Sequence, residues 1–424
     1  MNRSEEKNLL VITSYPSKSE VHGKGVVGIA SYAKNTLTSL FKQDKNLKIS
    51  VLAEKLKKDP LHEYKDDGIS VARVWKRGSF LTFPTLLKEA LKRKNSSQKI
   101  LIEFELSMFG GIVNLLPFPL FLFILKILGK KTHIVLHQVV MSMDEIGPHL
   151  NIAQKSFKAS LYSYGMKFFY IMLILLSHEI IVFEEKLKND LQKIGKRSKI
   201  IVIPHGVETP QSTLSQQNAR KELGIPESSF VIVVFGFLAW YKGSDFIVQT
   251  IADLKKSERT FKNMHLIMAG GPNPNHLSKD FYVKYIQSIE KTAKENGITI
   301  TGFVEETKIN QYYAASDLIL LPYRTFMSSS GPLSLAFTYN KPVIFSEPLR
   351  PYFQSQDLKS ALIQSNLKEN DLIFQLNPES LSSTLTKIMQ NKDVLKNLTE
   401  FSSLLKQARS WNNIAKLYYE KLFN

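Results

Sequence analysis

"FGFLAWYKGSDFIVQTIADL", residues 235–254, reads as the end of a strand, a loop holding glycine and lysine, and then an amphipathic helix. Lys242 and the amides near Gly243 stand at a helix N-terminus, where unpaired N–H groups and the helix dipole attract anions such as a diphosphate. The same Lys-Gly pair equally describes an ordinary solvated loop. Around it, "FVIVVFGFL", "HLIMAGG", "ITITGFV", "DLILLPY" and "KPVIFS" follow one another with helical patterns between them. Short apolar runs that alternate with longer helical segments specify a parallel sheet built from βαβ units.

The first half carries the same alternation in "NLLVITS", "KISVLAE", "ISVARVW", "KILIEFE", "THIVLHQ" and "EIIVFE". "SKIIVIPHGVETPQSTLSQQN" then runs from a strand into a polar Pro/Ser/Gln tract, the best linker candidate. A chain of 424 residues exceeds one compact core of usual size. Two doubly wound, Rossmann-like α/β domains facing an interdomain cleft are therefore expected, over residues 1–205 and 206–405. In residues 406–424, Trp411, Ile414, Leu417, Tyr418 and Leu422 recur at helical spacing and predict a closing helix.

Two further stretches offer chemistry. "HGKGVVGIASYAKN" (22–35) spells G-x-G-x-x-G with Gly23, Gly25 and Gly28. In a dinucleotide site the first glycine turns directly off the strand, and an acid about 20 residues on binds ribose. Here the strand ends near Ser14 and Glu54 falls 26 residues after Gly28, so the spacing is loose at both ends. In "LLPYRTFMSSSGPLSLAFTYNKPVIFS", Ser328, Ser329, Ser330 and Gly331 stand where a strand gives way to a helix. They read either as an anion site or as a serine N-cap. His137, at a strand end, fits a hydrogen-bonded core histidine or a cleft residue, and His205 fits a structural role at the hinge. Glu103 and Glu105 alternate along one run, as a solvated edge or as a catalytic carboxylate pair would.

The net charge is +18, and the first 200 residues hold 32 basic against 18 acidic side chains, so the positive field lies mainly in the N-terminal half. It fits an anionic partner such as phospholipid or a phosphorylated substrate, or simple solubility. No aromatic-rich basic stripe marks a nucleic-acid module, and no nucleic-acid partner is expected. With no cysteine, disulfides, thiolate metal sites and cysteine nucleophiles are excluded. The polar opening "MNRSEEKNLLVITSYP" does not read as a secretory signal. "LLPFPLFLFILKILG" (115–129) and "MKFFYIMLILLSHEIIVF" (166–183) are each too short or too interrupted to span a bilayer. Both are expected as buried core helices, with interfacial membrane contact as the alternative.

Taken in order, "VIPHGVE", "FGFLAWYKGSDFI", "LIMAGG", "TGFVEETKINQYYAASDLILLPY" and "SSSGPLSLAFTYNKPVI" resemble the C-terminal domain of the retaining glycosyltransferases of family 4 (group 1), which have the GT-B fold. "GVVGIASYAKNTLTSL", "IEFELSMFGG", "HIVLHQ" and "SWNNIAKLYYEKL" resemble that family's first-helix loop, acidic/glycine segment, cleft histidine and C-terminal helix. The resemblance implies a nucleotide-diphospho-sugar donor on the second domain, a glycan or lipid-linked acceptor on the first, and a last helix crossing back to the first. It gives Lys242 the donor diphosphate and lets Gly28 admit backbone to the phosphates or sugar. Phe303 and Val304 would border the base, while Gly236, Gly270 and Gly271 shape the cleft. Ser328, Ser329, Ser330 and Gly331 would face the phosphates or sugar, His137 would flank the reacting sugar, and Glu105 would meet acceptor or sugar. No metal and no further cofactor is implied.

Two departures stand out. The family's loop arginine is Phe237 here, and its paired glutamates are Met327 and Leu335, so ribose recognition must differ. The expected protein is a hexosyl-transferring enzyme of cell-envelope polysaccharide or glycolipid synthesis. It would work in the cytoplasm or peripherally on the inner face of the cell membrane. A non-catalytic scaffold binding glycan or a partner protein, and a nicotinamide-dependent oxidoreductase, stay open beside it.

Overall fold

The computed structural model describes residues 7–18, 28–56, 62–93, 99–143, 147, 155–210, 214–326 and 328–424. In β1 (Asn8–Thr13), Leu10 and Ile12 enter one apolar cluster while Leu9 and Val11 enter another. A strand apolar on both sides must be covered on both sides, which puts it at the centre of a parallel sheet with helices on each face. The other strands of this domain are β2 (Lys48–Glu54), β3 (Glu63–Asp66), β4 (Ile69–Trp75), β5 (Lys99–Phe104), β6 (Lys131–Leu136), β7 (Glu179–Val182) and β8 (Ile200–Val202). Their order is β3-β4-β2-β1-β5-β6-β7-β8, parallel throughout except for β3 against β4.

Helix α1 (Gly28–Gln43) covers the Leu9/Val11 face. Helices α2 (Thr82–Lys92), α3 (Phe118–Ile127) and α4 (Phe157–Leu176) cover the other through Leu86, Phe118, Leu122, Leu125, Tyr170 and Leu173. Helix α5 (Glu185–Gln192) leads into β8. The second sheet contains β9 (Phe230–Phe235), β10 (Met264–Ala269), β11 (Thr299–Ile300), β12 (Leu318–Leu321), β13 (Val343–Ser346) and β14 (Ile373–Phe374). It is wholly parallel, in the order β11-β10-β9-β12-β13-β14. Within this half, α6 (Ser244–Ser257) follows β9, α7 (Gly331–Thr338) follows β12, and α8 (Lys392–Ala408) ends beside the closing helix α9 (Trp411–Phe423).

Helix α9 packs on α1 of the first domain: Ile414, Ala415, Tyr418 and Leu422 share a cluster with Leu37 and Leu40, and the Tyr418 and Tyr32 hydroxyls lie 2.8 Å apart. At the crossing, Arg409 donates to both carboxylate oxygens of Glu184 (2.7 and 3.2 Å) in the first domain and to Asp357 (2.6 and 3.3 Å) in the second. Both Arg409 and Glu184 are buried. Backbone bridges Val207–Ser410 and Gln138–Ser328 join the halves further.

Two doubly wound parallel sheets are the architecture the apolar runs predict, and all twelve runs are strands. The two strands without such a run, β3 and β14, are short edge strands. Two other expectations change. Helix α4 begins at Phe157, well before the predicted stretch, and its 20 residues are long and apolar enough to cross a membrane by length and composition. Nor are the two apolar segments fully buried. Leu116, Leu120, Phe123, Phe168 and Leu175 lie exposed, because each helix is apolar on its outer side as well as its core side.

Candidate functional site

Among the parallel strands of each sheet the order reverses once, between β1 and β5 and between β9 and β12. Loops leaving the carboxyl ends of strands at such a reversal diverge and open a crevice, where ligands bind in open α/β sheets. The loop after β9 carries Gly236–Lys242, and the loop after β12 carries Ser328–Ser330. Gly28 opens α1 on the far side, and Glu105 follows β5. Gly23 and Gly25 lie outside the described residues, as does Met327.

The β9 loop is held by a second cation that the sequence reading passed over. Arg324 forks onto both oxygens of Asp245 (2.7 and 2.9 Å), donates to Trp240 O at 2.7 Å, and stacks on the Trp240 ring. Its own amide donates to Tyr241 O at 2.8 Å, and Tyr285 donates to Asp245. This clamp fixes Tyr241 and Lys242 at the start of α6. Gly243, the residue before α6, has φ +67°, and a Cβ there would lie 2.0 Å from Pro322 O. Glycine is what lets the chain turn there.

Lys242 is half-buried, with its ammonium folded over Gly236: a Cβ at Gly236 would lie 2.5 Å from Lys242 Nζ. Gly236 itself has φ +112°. The nearest aromatic face is Tyr323, at 5.8 Å. Among the described residues Lys242 makes no ion pair, and burial alone pushes its ammonium down to about 8. A desolvated cation with no protein anion beside it is stabilised by an anion brought from outside. Arg324 is committed to Asp245, and Phe237 is half-exposed and apolar where the family has an arginine.

Gly270 and Gly271 serve close approach between neighbouring loops. A Cβ on Gly270 would meet Gly236 O at 2.0 Å, and one on Gly271 would meet Gly302 Cα at 2.9 Å. They bring the ends of β9, β10 and β11 together. At the β11 end Phe303 is largely exposed on the rim, while Val304 packs partly into the core.

The serine run is partly committed to structure. Ser330 caps α7, accepting from Leu333 N and meeting the Tyr323 hydroxyl at 3.2 Å. Ser329 donates to Glu184 across the domains at 3.5 Å, and Ser328 forms the backbone bridge to Gln138. Gly331 is exposed at the start of α7 with open space around its Cα. Leu335 packs against the core, so no carboxylate stands at that position.

That bridge sets His137, one residue before Gln138, beside the serine loop. His137 Nε2 lies 2.8 Å from Glu103 Oε2, and its ring meets the Tyr32 and Phe183 edges at 4.9 and 5.0 Å. Its side chain is 11% exposed. Glu103 is fully buried, and burial holds its carboxyl above the usual range although His137 pulls it back. The solvated-edge reading of Glu103 is thus overturned. Strand β5 ends at Phe104, so Glu105 lies in the turn beyond and accepts from Ser107 at 2.9 Å. The two glutamates do not form one strand face. Glu105 does face Tyr241, whose hydroxyl is pushed up to about 12 by burial, by Tyr282 and by the Glu105 charge.

His205 joins the same wall. Its Nδ1 is 2.8 Å from Gly206 O and 3.1 Å from Ser334 Oγ of α7, and burial pushes its ring down to about 4. Among the described residues no group of three or more His, Asp or Glu is placed to hold a metal ion. Glu54 closes β2 and accepts from Ser14 at 3.0 Å.

Two doubly wound domains facing each other across their strand ends, with the C-terminal helix returned to the first, define the GT-B class. Residues 215–403 match the family described as "Glycosyl transferases group 1", and the second domain is a group 1 glycosyltransferase domain, as the motif resemblance implies. D-inositol 3-phosphate glycosyltransferase of Corynebacterium urealyticum is 24% identical over 233 residues, 53% of this chain and 51% of that protein. Lipopolysaccharide 1,2-N-acetylglucosaminetransferase of Salmonella typhimurium is 21% identical over 251 residues, 58% of this chain and 62% of that protein. The chain thus spans about half to three-fifths of these curated relatives. The E. coli trehalose-6-phosphate structure bound with UDP-2-fluoro glucose superposes with a TM-score of 0.69 at 13% identity, covering 98% of this chain and 99% of that one, a likeness of fold.

Proposed function

We propose that this protein transfers a hexosyl group, with retention of configuration and without a metal, from a nucleoside-diphosphate sugar to a glycan or lipid-linked acceptor of the cell envelope. The observation that carries this reading is Lys242, a half-buried cation with no ion pair among the described residues, at the strand-order reversal of the second sheet. Sugar transfer of this kind develops negative charge on the departing diphosphate and positive charge at the sugar carbon. Fixed donors in a dry site stabilise the first more than water does. Lys242 supplies the charged donor, while the amides of Lys242, Gly243 and Ser244, which the sequence suggested as anion ligands, are taken by the Ala239 and Trp240 carbonyls. The leaving phosphate oxygen then takes the acceptor proton on the face it has just left. His137, oriented by Glu103, flanks the sugar from the first domain, and Glu105 contacts acceptor or sugar.

The UDP-2-fluoro glucose bound in the E. coli neighbour and the lipopolysaccharide acceptor named for the Salmonella relative support donor and acceptor classes. A non-catalytic scaffold is favoured by one set of observations: Leu335 lies against the core, and Ser329 and Ser330 are tied into structural contacts. A thermal-shift panel of UDP, GDP, ADP and NAD with their sugar conjugates separates the readings. Because a ligand bound only by the folded state stabilises it, one nucleoside diphosphate at about 100 times its Kd is expected to add about 2.7 kcal/mol. A shift with NAD and none with any nucleoside diphosphate overturns the proposal. A nucleoside-diphosphate shift without turnover leaves the scaffold.

A further inference from the structure

Of the large apolar side chains exposed on the described surface, eleven of nineteen fall between residues 113 and 175. They are ordered. On α4, Phe157 (85% exposed), Leu161, Tyr164 (70%), Phe168 (65%) and Leu175 recur at spacings of 3, 4 and 7, forming one stripe along the helix. Its opposite side, with Tyr170, Leu173 and Ile174, is fully buried. On and before α3, Leu116 (71%), Leu120, Phe123 and Ile127 form a second stripe in the same way. The two helices pack side by side, with Lys126 of α3 donating to Leu175 O of α4 at 3.0 Å. Singly exposed hydrophobics are ordinary, but a contiguous apolar face of this kind marks an interaction surface.

Charge selects the occupant. From Leu106 to His178 the only acidic residues are Asp144 and Glu145, outside the described residues, against Lys126, Lys130, Lys131, Lys155, Lys158 and Lys167. Lys155 and Lys158 lie at the N-terminal end of the α4 stripe and Lys126 at its C-terminal end, so cations bracket the apolar face. A second copy seated symmetrically on this face would set lysine against lysine. An anionic bilayer satisfies both features, with apolar side chains in the acyl boundary and lysines among phosphate headgroups.

We infer that α3 and α4 form a docking face for an anionic phospholipid surface, which brings the acceptor side of the cleft to a membrane-held acceptor. The second part of this inference rests on the glycosyltransferase reading; the docking itself does not. The face reaches the site by direct packing. In chain order α3 follows the β5 end that carries Glu105, and α4 follows the β6 end that carries His137. Met143 N donates to Ser163 of α4 at 2.9 Å, and Val140 N donates to Tyr170 at 3.1 Å, so the chain after His137 is moored to α4.

The test is co-sedimentation of the full chain with phosphatidylcholine vesicles containing or lacking phosphatidylglycerol, at low and high salt. Two double variants, Phe123→Ser/Phe168→Ser and Lys126→Glu/Lys158→Glu, are compared, with melting temperature and the nucleoside-diphosphate shift as fold and site controls. Wild type is expected on phosphatidylglycerol vesicles at low salt and released by high salt. The apolar pair is expected to weaken binding about tenfold or more, and the charge pair at least about fivefold per lysine. A wild type that shifts with a nucleoside diphosphate but ignores the vesicles overturns the docking face alone. A protein that binds vesicles but no nucleotide overturns the transferase reading alone. Sedimentation velocity showing a wild-type dimer dissolved by the apolar pair, with vesicle binding unchanged, assigns the face to a second copy and overturns the lipid.

Discussion

Replacing Lys242 by methionine is expected to lower donor turnover about 10²–10³-fold in kcat/KM while leaving the free protein as stable as before, or more so. The two halves of this expectation have one cause. The Lys242 ammonium is desolvated at the β9 turn and pairs with no carboxylate among the described residues, so it opposes folding until an anion arrives. Methionine keeps the length and apolar stem and removes the charge. The sign with pH follows from proton binding. Lys242 titrates at about 8 when folded against 10.5 when free. Between those values the unfolded chain holds more protons, so the wild type gains stability relative to the variant as pH rises through that window. Below it both states are charged and the opposing effect is complete. Melting curves of the two proteins from neutral to alkaline pH, without nucleotide, check this. A variant that melts well below wild type at neutral pH would make Lys242 a structural residue.

The largest effect on stability is expected at Arg409. Arg409→Met leaves Glu184, fully buried in the first domain, and Asp357, in the second, without their shared cation. Breaking a buried pair from one side costs about 3–5 kcal/mol, because the remaining charge has neither water nor partner. Among the described residues Glu184 keeps only hydroxyl donors, Ser355 at 3.1 Å and Ser329 at 3.5 Å. Burial already holds its carboxyl above the usual range, so the deficit should shrink at acid pH as it takes up a proton. Glu184→Leu added to Arg409→Met should recover much of the loss. Because Ser329 and the Gln138–Ser328 bridge adjoin this junction, the single variant should also loosen the cleft, seen as a weaker nucleoside-diphosphate shift. Denaturant unfolding measures both, and a loss under about 1 kcal/mol would contradict the description of this junction.

The sheets were legible because a parallel strand covered on both faces, such as "LLVI" in β1, carries its apolar content in sequence. The edge strands were not. Polar β3 is signalled only by Asp67-Gly68, with φ of +48° and +85°, the two-residue turn that folds it back on β4. The loop after β9 was legible at Gly236 and Lys242 because a βα turn sets them by local rules. The Arg324–Asp245 clamp was not, since 79 residues separate its partners. Glu103 held a usable signal: a carboxylate inside an apolar strand must be buried, and so must have a partner. The stripes on α3 and α4 show the opposite limit. An apolar period marks a face but does not say what covers it.

Proton uptake on ligand binding tests the central claim most directly. The nucleoside diphosphate selected by thermal shift is titrated calorimetrically at about pH 9, in buffers of differing ionisation enthalpy, into wild type and Lys242→Met. If Lys242 receives the diphosphate, its ammonium regains an anionic partner and its proton, so wild type takes up close to one proton per ligand and the variant takes up none. Equal uptake by the two proteins, or full-affinity binding by the variant, would contradict the account.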